Sequence, residues 1–243
     1  MANTYVLVHG SWHGGWCWTA VAKHLTEQGH KVYAPTLAGH GPDVERAGVT
    51  HQDCVDSLVQ YIEERDLRNV ILVGHSWGGN TVCGAAPRIA DRLQRLIFWS
   101  AFVLNDGEST LDVLPPHYVA LFRQLANSSS DYTVSLPWEV WRGVFMQDSG
   151  EETARLVYSL LSPEPMNVYE ATLDQKAFFK LSIPKSYLLT RQDISLPPDE
   201  YPWYPRFGNR LGAHKYVEVD GSHEACFTRP IELANAIIEA STD

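Results

Sequence analysis

The sequence predicts an α/β fold: a mainly parallel six-stranded sheet with helices on both faces and a small helical lid inserted near its middle. Two observations carry this expectation. Short β-branched, apolar runs alternate with longer stretches of helical period through the first hundred residues and again near the end, the pattern of a parallel sheet covered on both sides. Between about Leu104 and Ser182 that alternation stops, prolines accumulate and aromatic residues crowd together. The chain therefore divides into a core of residues 1–103 and 183–243 and a lid of residues 104–182.

The elements follow in order. Tyr5-Val6-Leu7-Val8 is the first strand. Trp16 to Gln28 reads as a helix, stopped by Gly29. Lys31-Val32-Tyr33-Ala34 forms a second strand, halted by Pro35. Asp53 to Arg65 is amphipathic, with Val55, Leu58, Val59 and Ile62 at helical spacing. Asn69 to Val73 gives a third strand, followed by a helix over Asn80 to Ala90. Arg95 to Val103 is a fourth strand, rich in aromatics, and Ser186 to Thr190 and Lys215 to Val219 are the fifth and sixth. Ile231 to Ala240 closes the chain as a helix. The lid shows no strand pattern, and its aromatics include Tyr118, Phe122, Phe145, Tyr158 and Tyr169. A segment in that place usually shapes a substrate site.

Composition excludes several classes. The 243 residues are 44% hydrophobic, ordinary for a soluble globular enzyme, and no run of 18 apolar residues could span a bilayer. Nineteen basic against 29 acidic residues give a net charge of −10, which argues against nucleic-acid and anionic-membrane partners. The expected partner is a small molecule, and a homodimer is compatible with the composition. Cys17, Cys54, Cys83 and Cys226 are widely spaced and form no C-x-x-C pair. With no leader apparent before the first strand, they read as reduced thiols in a cytoplasmic protein.

One motif carries chemistry. Gly74-His75-Ser76-Trp77-Gly78 matches G-x-S-x-G, common by chance, but here a buried strand leads in and a helix leads out. That setting is a nucleophile elbow: a strained turn raises the serine Oγ above the sheet, and small flanking residues let neighbouring chains pass. The following helix start makes the backbone N–H of Trp77 an oxyanion donor. A second donor should come from the loop after the first strand, His9-Gly10-Ser11-Trp12-His13-Gly14-Gly15-Trp16, where the N–H of Ser11 is best placed. Each such donor is worth about 3–4 kcal/mol in the transition state. The loop lacks both phosphate-binding glycine patterns.

A serine hydroxyl needs a base. Of ten histidines, His223 follows the last strand after Asp220-Gly221-Ser222, in the expected place and order. The acid should lie between serine and histidine, after the penultimate strand, where Asp193 stands; Asp106, after the fourth strand, is its rival. No zinc-type spacing is present, so no metal is expected. Trp12, Trp99, Trp138 and Trp141 are the candidate substrate-lining side chains, suited to a compact apolar or aromatic group.

Together, His9-Gly10-x-x-His13-Gly14-x-Trp16, Gly74-His75-Ser76-x-Gly78-Gly79, Gln192-Asp193 and Gly221-Ser222-His223 resemble the α/β-hydrolase subgroup of plant methylesterases and hydroxynitrile lyases, with its bacterial relatives. The likeness covers nearly the whole core and fades through the lid. It implies six core strands, a helical lid, no cofactor, a triad of Ser76, Asp193 and His223, and Ser11 and Trp77 as oxyanion donors. The cyanohydrin lyases of that subgroup carry threonine after the first-strand histidine and lysine after the catalytic one. Here those positions are Gly10 and Glu224, so hydrolysis of a small carboxylic ester is the expected activity. The alternatives are a triad-based lyase, lactonase or cofactor-free oxygenase, and a small-molecule receptor.

Overall fold

The structure, a computed structural model, describes residues 2–243. Among the described residues eight strands form: β1 Thr4–Val8, β2 Lys31–Tyr33, β3 Val70–His75, β4 Leu93–Trp99, β5 Thr133–Val134, β6 Glu164–Pro165, β7 Lys185–Thr190 and β8 Lys215–Val219. Six build one parallel sheet in the order β2-β1-β3-β4-β7-β8. This is the α/β-hydrolase architecture, and β3, which leads to Ser76, sits inside it.

Alternation along the strands divides the core. Tyr5, Leu7, Ile71, Val73, Ile97, Trp99 and Leu188 face helix α1 (Thr19–Glu27) and the last helix, Pro230–Ala240, through Val21, Leu25, Leu233 and Ile237. Val6, Val8, Leu72, Phe98 and Tyr187 face the other way, against α2 (His51–Glu64), α3 (Gly78–Ala85) and the inserted segment. Burial on both faces is what makes these strands read as continuous apolar runs. The insertion shares the second cluster with the sheet, so it has no separate core of its own.

Element ends differ from the sequence reading for physical reasons. The predicted helix from Trp16 opens with a tight 3-10 turn, Gly15–Trp18, before α1 begins. Helix α2 starts two residues early because Thr50 and Asp53 form a capping box. Helix α3 starts at Gly78 and stops at Ala85, since Pro87 cannot donate; two short 3-10 turns follow. The fourth strand ends at Trp99, where Ser100 turns the chain at φ +37°; Ala101–Leu104 is buried coil, apolar because it is covered. The insertion is not purely helical, because β5 and β6 pair antiparallel within it.

Among the described residues no helix is long and apolar enough to cross a membrane. All four cysteines are free and buried.

Candidate active site

Ser76 sits in the turn between β3 and α3 with φ +52°, a left-handed conformation that costs a non-glycine residue strain. The glycines around it have steric reasons to be glycine. A methyl added at Gly78 would lie 2.3 Å from the His9 carbonyl oxygen, and one at Gly10 would lie 2.9 Å from Ser76 Cβ. The turn is held by Ser76 N–H donating to the Trp99 carbonyl (3.2 Å) and by the Ser76 carbonyl accepting from Phe102 (3.1 Å).

His223, on the loop after β8, is buried and lies against Asp193, on the loop after β7. Its Nδ1 is 2.6 Å from Asp193 Oδ2. Burial opposes charge on His223, but the carboxylate's charge and hydrogen bond outweigh it and hold the ring above its ordinary pKa. Burial likewise works to raise Asp193; the His223 charge, together with bonds from His223 and Ser195, keeps it below the usual carboxylate range. Asp106 is elsewhere, capping the Gln175 N–H at 3.0 Å and pairing with Lys176 at 3.3 Å.

Two further residues complete this network. Ser195 Oγ donates to Asp193 Oδ1 (2.6 Å), lies 3.0 Å from His223 Nδ1 and accepts the Trp203 indole N–H (3.1 Å). The Trp203 ring stacks on His223, with centroids 5.4 Å apart and an 18° interplanar angle. Sequence reasoning missed both. The signal was the aromatic, proline-rich stretch from Leu196 to Pro205, unusually apolar for a connection between strands.

The other histidines serve the frame. His9 is kept neutral by burial and by the His40 charge; its Nδ1 donates to the Gly10 carbonyl (2.8 Å) and its Nε2 accepts from Leu37 N–H (3.1 Å). His13 Nδ1 donates to the Ser11 carbonyl at 2.7 Å. His75 is also kept neutral by burial and by the His223 charge; it stacks on Trp99 at 3.8 Å and donates to the His223 carbonyl at 3.1 Å. Glu224 is buried and turned toward His13, 3.5 Å away.

Ser76 and His223 line one small, partly open cavity. Its walls include Ser11, Trp12, Phe102, Leu196 and Trp203, with Leu114, Tyr118, Phe122, Phe145 and Tyr169 contributed by the insertion. His223 is the only histidine among the side chains that line this cavity. Neither the Ser11 N–H nor the Trp77 N–H is engaged by another backbone carbonyl among the described residues.

Of the four expected lining tryptophans, the structure brings only Trp12 to the cavity. Trp99 points to the opposite face of the sheet, its indole donating to Thr190 Oγ1 at 2.6 Å. Trp141 is buried in the insertion behind Phe145, donating to the Ala154 carbonyl at 3.0 Å. Trp138 lies on the outside, edge-on to Tyr158 with the Arg155 guanidinium 4.5 Å over its ring. Aromatic content did not reveal which rings point inward; that depends on the insertion's packing.

Comparison with known proteins agrees with this architecture. A model of the alpha/beta hydrolase family matches residues 5–236. An extracellular α/β-hydrolase from a Paenibacillus species, described as sharing structural and functional homology with tobacco salicylic acid-binding protein 2, superposes with a TM-score of 0.96. It is 36% identical over 99% of this chain and 100% of its own. Methylesterase 7 of Arabidopsis thaliana is 26% identical over 97% of this chain and 95% of its own. A carbendazim-hydrolysing esterase of Nocardioides sp. (strain SG-4G) is 44% identical, but the match spans about half of each protein, 47% of this chain and 48% of the other. The chain belongs to the alpha/beta hydrolase family.

Proposed function

We propose that the chain hydrolyses a small, uncharged carboxylic ester through an acyl-enzyme on Ser76. One observation carries this reading: a histidine held at 2.6 Å by a buried aspartate shares an apolar cavity with a serine raised on a left-handed turn. Ser76 Oγ attacks the carbonyl carbon as His223 takes its proton. The oxygen of the tetrahedral intermediate is received by the N–H groups of Ser11 and Trp77. His223 then protonates the departing alcohol, and water, activated by the same ring, releases the acid.

The aromatic roof formed by residues 104–182 favours an apolar or aromatic acyl group, with a small alcohol on the other side. No lysine or arginine lines the cavity, which suits a neutral ester better than an anion. It also suits cyanide lyase chemistry poorly, because the residue beside the base is Glu224. The names of the relatives, methylesterase and esterase, point the same way. Buried thiols are shielded from oxidants, so the four free cysteines fit a cytoplasmic setting and equally an extracellular one like that of the Paenibacillus relative.

The test is a panel of methyl, aryl, lactone and thioester substrates read against Ser76→Ala, with mass-spectrometric detection of a phosphonate adduct. Labelling at Ser76 and loss of turnover in the variant are expected. Full activity of Ser76→Ala on every accepted ester sinks the reading.

A further inference from the structure

Trp12 holds a bulky side chain in the left-handed region, at φ +64°, directly after the oxyanion residue Ser11. Such a conformation persists only where the surroundings over-determine it. Here they do, through hydrogen bonds that come from the insertion. Trp12 N–H donates to Glu164 Oε2 at 2.8 Å, the Trp12 carbonyl accepts from Ser162 N–H at 2.8 Å, and the indole N–H donates to the Val134 carbonyl at 2.9 Å.

The peptide plane between Ser11 and Trp12 is thus fixed at both polar atoms. Its carbonyl accepts from His13 and its N–H donates to Glu164. In the preceding plane, the Gly10 carbonyl accepts from His9, and that plane's N–H is the one Ser11 offers to the cavity. Any swing of the Trp12 peptide changes the backbone torsions of Ser11, and with them the aim of that donor.

Glu164 is itself anchored. Its side chain is fully buried and meets His40 Nε2 at 3.0 Å, while His40 Nδ1 lies 2.9 Å from the Ala38 carbonyl. A carbonyl only accepts, so Nδ1 carries a proton, and Nε2 needs another to bond a carboxylate. His40 is therefore an imidazolium. Burial disfavours that charge, and the adjacent Glu164 carboxylate more than compensates.

We infer that Glu164, anchored by His40, is a positioning residue for catalysis: it locks Trp12 and thereby aims the Ser11 N–H at the developing oxyanion. The inserted segment then supplies part of the scaffold of the oxyanion hole as well as a roof. This inference rests on the ester-hydrolysis reading of the site.

The experiment uses the full chain, with an ester that the wild type turns over and Ser76→Ala does not. In Glu164→Ala, kcat should fall about 100-fold, as for a donor displaced by about 1 Å, with KM within about threefold. Glu164→Gln should keep kcat within about fivefold of wild type. Its amide oxygen can still accept from Trp12, and its NH₂ can donate to a neutral His40. Glu164→Asp keeps the charge but withdraws it by one carbon, so its kcat should lie well below that of the Gln variant. If Glu164→Ala does not fold, the Asp and Gln variants decide the matter. Asp equal to or faster than Gln overturns the inference, as does an Ala variant with wild-type kcat. Absence of Ser76-dependent turnover in the wild type counts against the hydrolase reading, not against Glu164.

Discussion

Asp193 Oδ2 lies 2.6 Å from Nδ1 of His223, and Ser195 Oγ bonds the carboxylate's other oxygen at 2.6 Å. The carboxylate is thereby clamped, with one oxygen left for the ring. Because it holds His223 above the ordinary histidine value of 6.5, and the base must be neutral to act, kcat/KM should rise with pH through an inflection above 6.5. Asp193→Asn should move that inflection down and lower kcat on the order of 10⁴-fold by inverting the tautomer. A profile that keeps its midpoint in the variant rejects this assignment of the acid.

Removing the Ser195 hydroxyl leaves the geometry of His223 in place but takes one strong bond from the carboxylate and the acceptor from the Trp203 indole. A hydrogen bond to a charged group is worth about 1.5–3 kcal/mol, so Ser195→Ala should lose about 10- to 100-fold in kcat. KM should be little changed, since the hydroxyl faces the base. Steady-state kinetics with one ester separate the two parameters.

Trp203 and Trp138 make a matched pair. Trp203 stacks on His223 and lines the cavity, whereas Trp138 packs outside it under Arg155. Trp203→Ala should raise KM and depress kcat by at least about tenfold, as expected for a ring worth 3–5 kcal/mol when truncated in a core. Trp138→Ala should leave kcat/KM within about twofold. Equal effects from the two variants would contradict the cavity as described.

Gly78→Ala should be a stability variant. Its added methyl meets the His9 carbonyl at 2.3 Å, and neither backbone segment can retreat without moving β1 or the elbow. Overpacking of this kind costs about 1–3 kcal/mol. In a chain this long that lowers Tm by roughly 2–12 °C, readable by calorimetry.

His40 gives a pH signature. Its proton is held above the ordinary 6.5, so the folded chain binds more protons there than the unfolded one. The stabilisation is complete below pH 6.5 and drains away as pH rises through the raised value. Asp193, depressed when folded, contributes at the opposite end and is lost only in acid. Between pH 6 and 9 the Tm of the wild type should therefore fall more steeply than that of Glu164→Gln, which lacks the charged partner. Parallel slopes would show that the pair contributes nothing pH-dependent.

What could be read in advance follows from which interactions are local. The sheet strands were legible because the inner ones are short apolar runs buried on two faces, while Gly29 and Pro35 bracket the partly exposed edge strand Lys31–Tyr33. The positions of Ser76, Asp193 and His223, just after β3, β7 and β8, were legible because chain order and strand ends suffice to place them. The Thr133–Val134 and Glu164–Pro165 ribbon was not: two residues per strand carry no period. Nor was Glu164, a lone carboxylate whose meaning comes from Trp12, 152 residues away. Trp99 misled because alternation aims it at the far face, and one tryptophan in a continuously apolar strand does not declare its side.

The single apolar cluster that joins the insertion to one face of the sheet bears on protein engineering. A roof borrowed from a relative to change substrate preference would not arrive as an interchangeable module. It would have to match the sheet side chains beneath it and supply an acceptor opposite Trp12 and a counter-charge for His40. Chimaeras that graft residues 104–182 whole, with His40 and its loop taken from the same donor, should stay soluble more often than those that transplant the insertion alone.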